Sequence, residues 1–209
     1  TGQLNRRLVQ LTREAVGDRA CVAGDLTMTG ELLEPLGDMT EPELVDIYKE
    51  QIEALAEGGV DLLGVETMLS LDEMLAALKA AEAVCDLPVM CTFTVNEKGM
   101  TIYGTDAVDA VSRLEEAGAA AVGVNCSLGP DQLLDVVERM VKKVQVPVIA
   151  KPNAGLPTLD ASGNMVYSMD EETFARHMKE LAMAGARLIG GCCGTTPGYI
   201  RKMKQLLCK

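Results

Sequence analysis

Apolar positions along this chain switch repeatedly between helical and strand spacing. Leu4, Leu8, Leu11 and Ala15 recur at helical intervals and predict an opening helix that ends near Gly17. A short apolar strand is expected at about Ala20 to Ala23, followed by a long loop rich in Gly, Thr and Pro from Asp25 to Met39. Thr40 reads as the N-cap of a helix carrying Leu44, Ile47, Ile52 and Leu55. The alternation continues with a strand Leu62 to Val65, a helix Asp72 to Val84, a strand Val89 to Thr94 and a turn at Asn96-Glu97-Lys98-Gly99. A helix Ala107 to Ala117, a strand Ala121 to Val124, a helix Asp131 to Lys143 and a strand Val148 to Ala150 come next. After a second long loop, Asn153 to Asp170, a helix from Glu171, a strand Leu188 to Gly190 and a final helix after Pro197 complete the pattern.

Six strands, each followed by a helix, call for a parallel α/β sheet with right-handed crossovers. Three of the units repeat one another closely: a helix end, a glycine and a short apolar strand follow in turn around Gly59, Gly118 and Gly185. Seven residues beyond each glycine stand Glu66, Asn125 and Cys192. The three polar residues therefore share one structural position at the C-terminal end of a strand, where parallel α/β folds carry their chemistry.

Composition narrows the class. With 209 residues and 48% apolar content, the chain can bury one substantial core, so a single domain over residues 1–209 is expected. A net charge of -12 disfavours nucleic acid as a partner, because phosphate neutralisation needs clustered Lys and Arg. The absence of Trp and the scarcity of Phe and Tyr disfavour base stacking as well. Neither an 18-residue apolar run nor a leader-like start is present, so no membrane span and a cytoplasmic location are expected. Seven cysteines, an odd number without small-scaffold spacing, fit reduced thiols better than a disulfide framework. Cys21, Cys85, Cys91 and Cys208 read as structural or surface residues.

The chemistry concentrates in the other three. Cys192 and Cys193 lie in Gly190-Gly191-Cys192-Cys193-Gly194-Thr195-Thr196-Pro197, and Cys126 closes Gly123-Val124-Asn125-Cys126. Thiolates are the soft ligands that Zn2+ favours, and three protein ligands leave a fourth corner of the tetrahedron open, as a catalytic zinc needs. A thiol bound at that corner would be deprotonated. Spacing alone also permits a strained vicinal disulfide or plain apolar packing, since the paired CxxC signature of closed zinc sites is absent. Asn153 has two readings, a turn residue satisfying loop backbone and a substrate-facing group. His177, the only histidine, sits among Arg176, Met178 and Lys179 on a predicted helix and reads as solvated, which leaves no base for a Ser-His-Asp or Cys-His mechanism.

Gly123-Val124-Asn125-Cys126, Lys151-Pro152-Asn153-Ala154-Gly155-Leu156-Pro157 and the segment from Gly190 to Pro197 occur here in an order that resembles the homocysteine-binding zinc domain of the homocysteine S-methyltransferase family. Val65-Glu66-Thr67-Met68 is a weaker fourth match, and the similarity runs along nearly the whole chain, closest to the first module of cobalamin-dependent methionine synthases. The resemblance implies a (β/α)8 barrel in which Cys126, Cys192 and Cys193 hold Zn2+ and Glu66 helps bind the amino group of homocysteine. Beside these, Asn125 is read as orienting the first ligand or the substrate, and Asn153 as substrate-facing. The resemblance also implies transfer of a methyl group to the homocysteine sulfur, the donor being methylcobalamin or another methylated corrinoid on a partner domain or protein. Carried over, the six strands are strands three to eight. The first two βα units are then missing before Thr1, an N-terminal truncation that predicts open strand edges near Val22 and Ile189 and self-association or instability through the gap. Gly24-Asp25-Leu26-Thr27-Met28-Thr29-Gly30 departs from the Gly-Pro that relatives commonly carry before the Thr. A zinc-binding structural or interaction module without turnover is the alternative, and a vicinal-dithiol redox protein is a third.

Overall fold

A computed structural model describes residues 2–208. Six strands form one parallel sheet: β1 (Ala23–Leu26), β2 (Leu62–Met68), β3 (Val89–Phe93), β4 (Ala121–Asn125), β5 (Val148–Lys151) and, after a hairpin, β8 (Leu188–Ile189). They pair in chain order, and each is followed by a helix: α2 (Glu41–Gly58), α3 (Leu71–Val84), α4 (Ala107–Glu116), α5 (Leu134–Lys143), α6 (Glu171–Met183) and α7 (Pro197–Leu207). An opening helix α1 (Gly2–Val16) packs on α2, with Arg6 paired to Glu57 and Arg13 to Asp61.

Local chemistry sets the helix starts. Thr40 and Glu43 form a reciprocal capping box at α2, with Pro42 in the first turn where its missing N–H costs nothing. Gly59 ends α2 at φ 88°, a left-handed conformation that a Cβ would strain. Ser70, Asp106, Asp170 and Thr196 cap α3, α4, α6 and α7 through side-chain oxygens that accept backbone N–H groups.

Strand register separates two faces. A Cβ on Gly24 would meet Leu55 of α2, so Gly24 and its register partner Leu63 look toward the helices. Val65, Cys91, Phe93, Val122, Val124, Val148 and Ala150 follow on that face and are buried there. The opposite face carries Asp25, Gly64, Glu66, Thr92, Gly123, Asn125, Ile149 and Lys151. Glu66 on β2 pairs with Lys151 on β5, two strands away from being its neighbour, so the sheet is curled and this second face is concave. Polar groups line the hollow, and the apolar core lies between sheet and helices.

Three expectations need correction. The first strand is Ala23–Leu26, not Ala20 to Ala23, and the preceding turn Gly17–Arg19 is a 3-10 helix. Val22 is held earlier by Asp61, whose carboxylate accepts the Val22 N–H at 2.6 Å, and the ladder to β2 opens only at Ala23. The segment Asn153 to Asp170 is not all loop: it contains an antiparallel hairpin of β6 (Pro157–Leu159) and β7 (Met165–Tyr167), turned by the Asp160 carboxylate, which accepts the N–H groups of Ser162 and Asn164. The helix expected from Asp131 starts as a 3-10 turn, Pro130–Gln132, and becomes α5 only at Leu134.

β1 and β8 are the edges of the sheet and do not pair with each other among the described residues. On α1, Leu4, Leu8 and Leu11 are exposed on one stripe. No described helix is long and apolar enough to cross a membrane.

Candidate metal centre

The end of β4 and the loop beyond β8 deliver the three cysteines to one point. Asn125 is the last residue of β4, and the chain leaves the strand through Cys126 and Ser127 at φ 61° and 51°, left-handed values that residues with a Cβ rarely adopt. Several bonds hold this strained turn: Cys126 N–H donates to the Lys151 carbonyl at 3.0 Å, Leu128 N–H to the Cys126 carbonyl at 2.7 Å, and the Ser127 hydroxyl to the Val95 carbonyl at 2.8 Å. Beyond β8, Cys192 N–H donates to the Pro152 carbonyl at 2.8 Å, and Thr195 ties back to the Cys192 carbonyl through its own N–H and hydroxyl. Both cysteine segments are therefore anchored at the end of β5, on Lys151 and on Pro152 just after it.

The sulfurs stand 3.7 Å apart for Cys126 and Cys193 and 4.0 Å for Cys192 and Cys193, and all three lie within 4.8 Å of one another. A tetrahedral ion with Zn–S bonds of about 2.3 Å would set its sulfurs about 3.8 Å apart. A disulfide would require about 2.05 Å, and all seven cysteines are free. Ligand type, number and spacing thus fit one zinc ion with an open fourth position. Without metal, Cys126 is pushed down to about 5, first by the hydrogen bond from the Cys192 thiol and then, against burial, by donors that include the Ser127 N–H, Cys193 and Asn153. The Cys192 thiol is correspondingly pushed up, first by its hydrogen bond to Cys126 and next by burial. One thiolate is already favoured before a cation arrives.

Asn125 and Asn153 brace this cluster. Asn125 is 1% exposed; its Oδ1 accepts the Thr67 N–H at 2.9 Å and the Thr92 hydroxyl at 2.8 Å, while its Nδ2 donates to Thr67 Oγ1 at 2.8 Å and faces Cys192 Sγ at 3.9 Å. Asn153 is also buried: its Oδ1 accepts the Cys193 N–H at 3.0 Å, and its side chain helps lower the pKa of Cys126. Glu66 is half-buried on the concave face but bonds to Lys151 rather than to the cysteines. Register explains the grouping, because Asn125 and Lys151 are direct partners on β4 and β5.

Lys151, Thr67, Thr92, Asp25 and Tyr167 were not singled out from the sequence. Tyr167, on the hairpin, lies beside the Cys193 segment, and burial followed by the charge of Cys193 raises the pKa of its phenol. Its ring lies directly over the Cα of Gly194, where a Cβ has no room. Lys151 stood within a matched motif, which was a usable signal; the hairpin carried none. A cavity of about 660 Å3 between residues 30–36 and the start of α3 lies apart from the cysteines.

Comparison with known proteins decides the family: residues 1–207 match the family model described as homocysteine S-methyltransferase. The chain belongs to that family. Among curated proteins, it is 31% identical over 179 residues to a methionine synthase of Mycobacterium tuberculosis and 32% identical over 180 residues to a methionine synthase of Mycobacterium leprae. Each alignment covers 83% of this chain and 15% of the relative, so the chain spans about one seventh of their length. The crystal structure of the homocysteine methyltransferase MmuM from Escherichia coli in its apo form superposes with a TM-score of 0.79 at 24% identity, over 98% of this chain and 73% of that one. Its metallated form gives a TM-score of 0.74 at 24% identity, over 98% and 70% of the two chains. The shared fold is an α/β arrangement around the six-stranded parallel sheet.

Proposed function

We propose that this chain binds homocysteine through its sulfur and prepares that sulfur to accept a methyl group, giving methionine. The observation that carries the reading is the three-cysteine cluster at the strand ends of a family member, with sulfur spacings suited to zinc. Bound there by Cys126, Cys192 and Cys193, zinc would act as a Lewis acid that lowers the pKa of an incoming thiol at its open position.

The remaining work falls to the chain's own residues. Asn125 and Asn153 hold the cysteines in place, so the pocket for the substrate sulfur is formed before substrate arrives. Glu66, facing the same hollow, would accept hydrogen bonds from the ammonium of homocysteine and so fix the amino-acid end while its sulfur sits at the cysteines. The sulfur would then attack the methyl carbon in line, the donor leaving with the bonding electron pair. A methylated corrinoid on a partner domain or protein is the donor we favour, on the similarity to methionine synthases. We read the six strands as strands three to eight of a (β/α)8 barrel and residues 1–209 as one homocysteine-binding domain. Closing the β1 and β8 edges takes further βα units or a second copy of the chain. A reducing compartment such as the cytoplasm suits the free thiols.

Mixing homocysteine with the zinc-loaded protein in weak buffer should release about one proton per bound thiol. Glu66→Gln should keep its zinc and bind homocysteine more weakly, by on the order of 1.5–3 kcal/mol in calorimetry. Absence of proton release would refute thiol activation, and equal affinity in both proteins would assign Glu66 to the scaffold.

A further inference from the structure

Three charged side chains share the concave face beside the cysteines. Glu66 and Lys151 form an ion pair with side chains 29% and 27% exposed. Asp25 on β1 is in register with Gly64, which makes it the diagonal neighbour of Glu66 on the same face. Among the described residues no side chain or backbone group donates a hydrogen bond to the Asp25 carboxylate. Burial, then the charge of Glu66, raises its pKa, and Lys151 opposes both. With both carboxylates ionised, two anions and one cation leave a net charge of -1 in this hollow.

That charge is set one residue from the thiol site. Lys151 supplies the carbonyl that anchors Cys126 and is the register partner of Asn125. An amino-thiol with its sulfur at the cysteines brings its ammonium to Glu66, and Glu66 already holds a cation. Two cations on one carboxylate repel, so one must move. Lys151 can do so at little cost, because its charge rides on a flexible four-carbon stem, and Asp25 lies on the same face without a partner.

We propose that Lys151 is a resident stand-in for the substrate ammonium, holding Glu66 while the site is empty and passing to Asp25 when an amino-thiol binds. This deepens the homocysteine-binding reading and rests on it. The exchange keeps Glu66 ordered without substrate and converts one ion pair into two when the ammonium arrives. Only a thiol that carries an ammonium displaces the lysine, so the exchange tempers the affinity for such thiols and leaves thiols without an ammonium unaffected. Lys151 and Asp25 thus set the affinity for ammonium-bearing thiols by acting through Glu66.

Calorimetric titration of the zinc-loaded chain tests this with three probes: homocysteine, 3-mercaptopropylamine, which lacks the carboxylate, and 4-mercaptobutyrate, which lacks the ammonium. Lys151→Met removes the competitor, so the two ammonium-bearing thiols should bind about threefold to tenfold more tightly, the scale of one partly buried ion pair. The binding of 4-mercaptobutyrate should change by less than about twofold, because it engages neither partner of that pair. Asp25→Asn should weaken homocysteine binding in the otherwise native chain and lose most of that effect in the Lys151→Met background, because no lysine then needs a new partner. Lys151→Gln serves for the same comparisons if Lys151→Met fails to retain zinc. Unchanged or weaker homocysteine binding in the Lys151 variant would overturn the exchange. Loss confined to 4-mercaptobutyrate would assign Lys151 to the carboxylate and also overturn it, as would an equal Asp25→Asn effect in both backgrounds. Failure of the native zinc-loaded chain to bind any of the three thiols would instead refute the thiol-binding reading on which the exchange rests.

Discussion

Cys126→Ala, Cys192→Ala and Cys193→Ala should each weaken zinc binding by at least about a hundredfold, because each removes one of three protein ligands and none of the neighbouring groups can replace a thiolate. The three sulfurs act as a set: 3.7 Å and 4.0 Å separations place them around one ion, and any two alone leave half a tetrahedron. Competition against a chromogenic zinc chelator reads the loss directly. Cys208→Ala and Cys21→Ala are the controls, since both residues are exposed and outside the cluster, and each should match the native protein. Full zinc retention in all three site variants would refute the ligand assignment.

The second large effect is expected at Asn125. This residue joins β2, β3 and β4 to the cysteine loop: it takes the Thr67 N–H and the Thr92 hydroxyl, gives one proton to Thr67 Oγ1 and turns the other toward Cys192. Asn125→Ala leaves several buried polar groups without partners at once and should cost about 3–5 kcal/mol of stability. Zinc affinity should fall by about tenfold to a hundredfold as well, since the groups that orient a ligand go with it. Urea unfolding of the metal-free protein separates the first loss from the second. A midpoint within error of the native one would mean that water replaces the amide without cost.

How much of this was legible in sequence depends on distance along the chain. The alternation of helices and strands was, because each element is a local pattern: Thr40 with Glu43 marks α2 whatever surrounds it, and the run Ala121 to Val124 is buried throughout, as an apolar strand predicts. The three cysteines were legible too, since their motifs name the segments after β4 and β8 that carry them. Edges depending on a partner were not. β1 reaches Leu26 through Gly24 and Asp25, poor strand formers that are held there by β2, so the strand was placed three residues early. The hairpin of β6 and β7 was hidden by loop-like composition, its turn being set by one Asp side chain. The pair of Glu66 and Lys151 required the curl of the sheet, which no local pattern encodes. The repeat spacing assigns Glu66, Asn125 and Cys192 to one strand-end position; the structure puts Glu66 within β2, Asn125 at the end of β4 and Cys192 beyond β8, and bonds only the last two to each other.

The sulfur count around the metal tests the proposed chemistry most directly. Zinc-edge X-ray absorption of the reconstituted protein should show three sulfur neighbours at about 2.3 Å and one lighter ligand. Saturation with homocysteine should replace the lighter ligand by a fourth sulfur at about the same distance. A shell that starts with three sulfurs and does not change on adding homocysteine would contradict thiol binding at the metal, and a shell with fewer than three would contradict the site itself.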